Sequence, residues 1–452
     1  MPVTHAAIVI PGIMGSVLQL NQEVIWPGSP LELYLPYNKM AKLLNPNLVA
    51  TDVIRQVSIS EQYRQLIVDL GKCGFHEDSN PKTLYVYPYD WRKDNALAAQ
   101  GLAALIDKAV TQNSATEISL IAHSMGGLIS RFYLESGDFN GRPGYSAVQR
   151  LLTLGTPHRG SPLALSAALG KEKRLFLNAD QVQLLVNDPR YPSLYQLLPP
   201  RGEPFAWNED QTAKFSEVDI YDTRIVQALG LSSANIQAAQ TFHSKLDINK
   251  RPQIQGRPMR YFFFAGTRQT TISSVNVLQV DATQILVRKT ELEDAGDGTV
   301  PIWSASITGI QGQPVGGEHG TIYRNDTLRR TMAALLGAKG VLPAEPSKVE
   351  VALRERVVHA ADAVHVALSF GAGVDKLAGQ LALQLADVNP TSGLVKYSKP
   401  VSIYPINYSG LNAEKLTVIF SAPGYPGIYR VAYIPEGYDD PAGSDELIVQ
   451  QD

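Results

Sequence analysis

Cysteine is almost absent: Cys73 is the single one in 452 residues, so no internal disulfide can form. That excludes a disulfide-stapled secreted domain and favours a reducing compartment. An excess of positive charge is also missing, since 40 Lys and Arg face 43 Asp and Glu for a formal net charge of −3. Nucleic-acid binding, which requires a clustered basic face, is therefore not expected. No uncharged apolar stretch approaches the ~20 residues that cross a bilayer. Contact with a membrane surface is expected to be peripheral and transient at most. The first residues lack a basic region, and the apolar run Ala6–Ile10 stops at Pro11-Gly12, which is unlike a signal peptide. These absences together predict a cytoplasmic location.

What is present is a composition with 44% hydrophobic and 18% charged residues, enough to build a large core in a chain of two or three domains. Short apolar runs at Ala6–Ile10, Thr83–Tyr87, Ile118–Ala122, Gln149–Leu154 and Arg260–Ala265 have the β-branched or aromatic character of buried strands. Glu61–Gly71 and Asn95–Val110 repeat their apolar residues at helical spacing. Strands alternating with helices predict a mostly parallel sheet with helices on both faces. Residues 161–255 break that rhythm and read as a helical cap or lid inserted into a domain spanning 1–340. A Pro-containing linker is expected at 341–348. Beyond it, Val349–Leu353, Ala363–Ser369, Gln380–Leu385, Leu416–Ser421 and Tyr429–Ile434 are β-rich. The turn clusters Asn389–Gly393 and Pro423–Gly427 separate some of these runs, which predicts a C-terminal β-sandwich-like module over 349–452. Two roles compete for that module: packing against the first domain, or binding a partner of unknown kind.

The chemistry concentrates at Leu120-Ile121-Ala122-His123-Ser124-Met125-Gly126-Gly127. An apolar strand ends at a serine flanked two residues away by Ala122 and Gly126, and a helical pattern follows. This is the strand–turn–helix setting of a nucleophile elbow, and it predicts an α/β-hydrolase fold with Ser124 as nucleophile. A serine needs a base, and the base needs an orienting acid. In this fold both follow the serine in the order acid, then histidine. Gly296-Asp297-Gly298 and Gly317-Glu318-His319-Gly320 supply them, so Asp297 is assigned as acid and His319 as base. Asp294 is the rival acid, and His76, His158 and His243 are the rival histidines. An oxyanion hole needs two amides, expected from Met125 after the serine and from Ile13 in the loop Ile10-Pro11-Gly12-Ile13-Met14-Gly15-Ser16. Met14, Trp26 and His123 are expected to touch the substrate. Neither a cofactor nor a metal is required.

Taken together, Ile10–Ser16, Tyr87-Pro88-Tyr89-Asp90-Trp91-Arg92, Ala122–Gly127, Gly155–Pro162 and Gly296–Pro301 make residues 5–335 similar to the lecithin:cholesterol acyltransferase family. That family includes lysosomal phospholipase A2 and the phospholipid:diacylglycerol acyltransferases of plants and yeast. The resemblance implies a triad at Ser124, Asp297 and His319 and oxyanion amides at Ile13 and Met125. Asp90 and Arg92 read as a structural pair rather than as catalytic groups. With Cys73 alone, the lid-loop disulfide of the secreted animal enzymes cannot form, and Trp26–Leu33 is expected to take the place of that loop. The C-terminal module has no counterpart in the resemblance. The expected activity is hydrolysis of carboxylic esters of lipids, lipase- or phospholipase-like, through an acyl-enzyme on Ser124. Acyl transfer to an alcohol is the alternative, and a non-catalytic binding protein on a hydrolase fold is the second.

Overall fold

The computed structural model describes residues 4–28, 32, 35–57, 60–209, 216–279, 285–338, 349–388 and 395–450. The expected linker at 341–348, the turn at Asn389–Gly393, and parts of Trp26–Leu33 and of the segment after Trp207 lie outside the described residues. Among the strands before residue 340 are β1 (His5–Ile10), β2 (Leu84–Val86), β3 (Glu117–His123), β4 (Val148–Leu154), β5 (Arg260–Thr267), β6 (Gln269–Gln279), β7 (Ile285–Gly296) and β8 (Gln311–Gly316). Six of them make one sheet in the order β8-β5-β4-β3-β1-β2, every pair parallel. All five strands expected from the apolar runs are present. The sixth, β8, was not foreseen because Gln311-Gly312-Gln313-Pro314-Val315-Gly316 is polar. It pairs only with β5 and forms the sheet edge, where Pro314 can be tolerated without an amide to donate.

Alternation along β1 sorts the core. Ala6, Ile8 and Ile10 face one hydrophobic cluster while Ala7 and Val9 face another, as a strand buried on both sides requires. On the first face lie α2 (Asn95–Asn113) and α3 (Met125–Glu135), contributing Leu102, Ile106, Leu128 and Ile129. On the second lie α1 (Arg64–Lys72) and α8 (Asp326–Leu335), contributing Leu66, Leu70, Leu328 and Met332. Their polar tie is a two-pronged ion pair of Arg329 with Asp69, at 2.7 and 2.9 Å, with the Asp69 side chain 0% exposed. The chain thus forms an α/β-hydrolase sheet covered on both faces.

Between β4 and β5 the segment that broke the rhythm carries α4 (Pro162–Ala168), α5 (Ala179–Val186), α6 (Thr223–Ala228) and α7 (Ser233–His243). It also carries a strand, Ala206–Asn208, that joins β6 in parallel. Helices dominate, but this strand ties the insertion to the β6–β7 hairpin.

A separate β-rich sheet closes the chain, built from β9 (Glu350–Leu353), β10 (Val357–His359), β11 (Ala363–Val388), β12 (Val395–Ser421), β13 (Gly427–Pro435) and β14 (Gly443–Gln450). The runs Ala363–Ser369 and Gln380–Leu385, expected as two strands, are the two ends of one 26-residue strand. Its pairing register with β12 slips between Ser369 and Lys376, so the strand continues through an irregularity instead of ending in a turn. The first end of β11 pairs with β9 and the other with β13, and Val366, Leu368, Leu381 and Leu383 share one core. No helix among the described residues is long and apolar enough to cross a membrane.

Candidate active site

β3 delivers Ser124 to the edge of the sheet. The serine leaves the strand at φ 52° and ψ −125°, a backbone setting that non-glycine residues hold only under local strain. Its neighbours make this turn possible. A Cβ on Gly126 would stand 2.6 Å from the main-chain oxygens of both Ile10 and Pro11, so only glycine fits there. Ala122, lying inside the sheet, keeps its methyl in the core. Met125 opens α3, and its amide is one of the helix N-terminal donors without an intrahelical partner. Thr156 donates its hydroxyl to the main-chain oxygen of Ser124 at 2.8 Å and braces the turn from the far side.

His319 and Asp297 meet the serine from loops at the opposite half of the sheet. Nε2 of His319 is 2.9 Å from Oγ of Ser124, and its Nδ1 is 2.8 Å from Oδ2 of Asp297. The second oxygen of Asp297 accepts the amides of Thr299 and Val300 at 3.1 and 2.7 Å, and its main-chain oxygen accepts the His319 amide at 2.8 Å. The acid is wholly buried and has a single open direction, toward the imidazole. Gly155, at φ 58°, leaves room for this contact, because a Cβ there would lie 2.8 Å from Asp297 Oδ2. Burial pulls the pKa of His319 down, but the charge of Asp297 and its hydrogen bond outweigh that pull and leave it raised. The three residues named from sequence are therefore brought into one hydrogen-bonded relay.

The rivals stand elsewhere. Asp294 faces Lys415 at 3.6 Å on the surface. His158 stacks on Phe263 with 3.7 Å between ring centroids and binds Thr153, while His243 packs edge-on against Phe242. Asp90 and Arg92 do form the structural pair expected, with two contacts at 2.7 and 2.8 Å, and Arg92 is 1% exposed. Arg92 also donates to the main-chain oxygens of Leu43 and Asn45 and lies over the Tyr191 ring. Among the described residues no group of three or more His, Cys, Asp or Glu could hold a metal ion.

Of the residues expected to touch substrate, two are buried with their polar atoms engaged by the protein itself. Trp26 is fully buried, donates its indole N–H to the main-chain oxygen of Met14 at 2.9 Å and packs against Trp91. His123 has both ring nitrogens engaged, Nδ1 with the Tyr63 hydroxyl at 2.7 Å and Nε2 with the main-chain oxygen of His319 at 2.9 Å. Sequence reasoning offered no signal for Tyr63, which counts in sequence as one more apolar position of the helical run Glu61–Gly71 and stands at the N-cap of α1. Met14, at φ 61°, does line a cleft, together with Ile13, Trp91, Leu185 and Leu194. Most of the wall of this cleft comes from the helical insertion.

Residues 47–250 match the family model for lecithin:cholesterol acyltransferase. The Arabidopsis thaliana protein named phospholipase A(1) LCAT3 is 27% identical over 205 residues, which cover 42% of this chain and 42% of that protein. The chain thus spans under half the length of that curated relative. Among solved structures, a gene product of Listeria innocua is 10% identical with a TM-score of 0.31, covering 76% of this chain and 96% of that one. A carboxylesterase structure from Nitrososphaera gargenis is 13% identical with a TM-score of 0.30, covering 74% and 89%. Across residues 47–250, which hold the serine turn and most of the insertion, this chain is similar to the lecithin:cholesterol acyltransferase family.

Proposed function

We propose that the chain is a serine hydrolase of carboxylic esters of lipids, lipase- or phospholipase-like, in which Ser124 carries the acyl group. The observation that carries this reading is the unbroken relay from Ser124 Oγ through His319 to Asp297, at 2.9 and 2.8 Å, set on a strained turn. In the acylation step Ser124 Oγ attacks the ester carbonyl while His319 Nε2 takes its proton and Asp297 holds the imidazole by Nδ1. The oxyanion forms beside the amides of Met125 and Ile13, and His319 returns its proton to the leaving alcohol. Water, deprotonated by the same imidazole, then resolves the acyl-enzyme. The acyl chain lies in the apolar cleft beside Ile13 and Met14, under the helices of residues 161–255.

The test is turnover of a fatty acyl p-nitrophenyl ester by wild type and Ser124→Ala, with fluorophosphonate labelling of both. Loss of about six orders of magnitude in kcat is expected from removing the nucleophile. Undiminished turnover or labelling in Ser124→Ala excludes the reading. A second reading, acyl transfer, is favoured by the family match alone. Adding a long-chain alcohol separates the two, since a transferase forms the new ester at the expense of free fatty acid. We further propose that the protein is cytoplasmic, meets its lipid at a membrane surface, and comprises a catalytic domain over 1–340 followed by the β-module over 349–452.

A further inference from the structure

The histidine turn rests on the β-module. His319 opens a short 3-10 turn that ends at Arg324, and the Glu318 side chain caps it by accepting the Gly320 amide at 3.0 Å. From the module, Arg356 donates Nη2 to Glu318 Oε2 at 3.1 Å and Nε to the two oxygens of Asp445 at 3.1 and 3.2 Å. Asp445 is fixed in turn by the amides of Leu353 and Glu446, each at 2.9 Å. The cluster is shielded, with the side chains of Arg356, Glu318 and Asp445 exposed by 15%, 23% and 3%. A Cβ on Gly317 would lie 3.2 Å from Glu350 Oε1 of β9, so the turn packs directly on the module. The acid loop is strapped to the same body. Lys415 of β12 faces Asp294 and Glu293 at 3.6 and 3.7 Å and donates to the main-chain oxygen of Arg268 at 2.9 Å.

We propose that Arg356 is a positioning residue for the base: through Glu318, the β-module fixes the turn from which His319 reaches Ser124. This rests on the hydrolase reading above. The module is then a working part of the catalytic unit, because a misplacement of the imidazole by ~1 Å costs on the order of 100-fold in rate. Charge gives the role a second signature. The groups facing His319 are Asp297, Glu318, Arg174 and His123; Glu318 raises its pKa and Arg174 lowers it. Those facing Glu318 are Arg356, Arg174 and Glu350, and Arg356 is the one in hydrogen-bond contact. Without Arg356 the Glu318 charge loses its hydrogen-bonded counter-charge, leaving only the more distant Arg174, and the imidazole titrates higher. Without the Glu318 charge it titrates lower.

The experiment uses the full chain as wild type, Arg356→Gln, Arg356→Lys, Glu318→Gln and the Arg356→Gln/Glu318→Gln double variant. The readouts are kcat and KM for a fatty acyl p-nitrophenyl ester across pH, the rate of fluorophosphonate labelling, and thermal melting. Burial, with Glu318 and Asp445 nearby, pushes Glu350 up to about 7, so the set is repeated in a Glu350→Gln background to remove that titration. Expected are a ~10- to 100-fold fall in kcat for Arg356→Gln with KM little changed, partial recovery in Arg356→Lys, and no further loss in the double variant. The acid limb of kcat/KM moves up in Arg356→Gln and down in Glu318→Gln, opposite shifts that a merely structural role does not produce. Wild-type kcat and an unmoved limb in Arg356→Gln overturn the proposal and leave the hydrolase reading intact. So does a loss of rate that follows only a fall in melting temperature. A wild type that is neither active nor labelled overturns both.

Discussion

The Tyr63 hydroxyl sits between two partners, 2.9 Å from the amide of Gly12, which donates to it, and 2.7 Å from Nδ1 of His123. His123 continues the chain to the main-chain oxygen of His319 at 2.9 Å. Burial, then the neighbouring His319, lowers His123 to about 3, so the ring is neutral at working pH. One proton arrangement, assigned from the network, satisfies every member: Tyr63 O–H donates to Nδ1, and Nε2–H donates to the carbonyl. The loop bearing Ile13 is thereby joined to the turn bearing His319.

Tyr63→Phe breaks that chain at its middle and leaves a buried imidazole nitrogen and the Gly12 amide without their partner. The expected cost is about 1–3 kcal/mol of stability, with a fall in kcat larger than any change in KM. Chemical denaturation and steady-state kinetics on the same preparation check both. Unchanged stability shows that the network is not a support.

The pH profile follows from the raised pKa of His319. A general base works only when deprotonated, so kcat/KM rises with pH through the folded pKa, and its acid limb lies above the ordinary imidazole value of about 6.5. The same shift stabilises the protonated fold below about 6.5, and that contribution fades as pH climbs through the raised value. Asp297→Asn removes the main cause of the shift. Its limb moves down and its rate falls by roughly 10⁴-fold, as the imidazole loses its orienting partner. A limb that stays in place after this substitution contradicts the assignment of the acid.

Gly155→Ala tests the space left for the relay. The methyl would meet Asp297 Oδ2 at 2.8 Å and His319 Nδ1 at 3.2 Å, and the residue would be held at a positive φ of 58°. Fluorophosphonate labelling is expected to slow by ~10-fold or more, with a stability loss of about 1–2 kcal/mol from the backbone setting. Normal labelling would show that the relay yields to a methyl without penalty.

Asp69 and Arg329 lock α1 to α8 across 260 residues of sequence. Arg329→Met leaves the buried Asp69 carboxylate with only Gln65 and the more distant Lys72, and should destabilise by about 3 kcal/mol. Replacing both members with leucine should recover most of that loss. Urea melts of Arg329→Met and of the double leucine variant decide it.

Much of this could be read from residue pattern, and the exceptions have physical causes. Buried parallel strands such as β3 and β4 are nearly continuous apolar runs, so they stand out. The edge strand β8 is polar and did not. Ser124, Asp297 and His319 were named because the chemistry dictates residue type, glycine flanks and chain order. Trp26 was expected at the substrate as part of the loop segment Trp26–Leu33, and His123 because it precedes the serine. Their polar atoms instead satisfy backbone and Tyr63, a contact made by folding across long separations. Glu318 was visible beside His319, but its partner Arg356 lies in a β-rich segment with no local signal linking it to a catalytic turn.

The distance of 195 residues from Ser124 to His319 also sets a schedule. At ribosomal rates of roughly 5–20 residues per second, the serine is synthesised about 10–40 s before its base. His319 follows the edge strand β8, which can dock only after β5 is in place, and Arg356 emerges later still. A nascent or prematurely terminated chain thus carries an unarmed serine. Under the proposed activity, newly made protein does not attack the membranes around it until the last strands have been translated and docked.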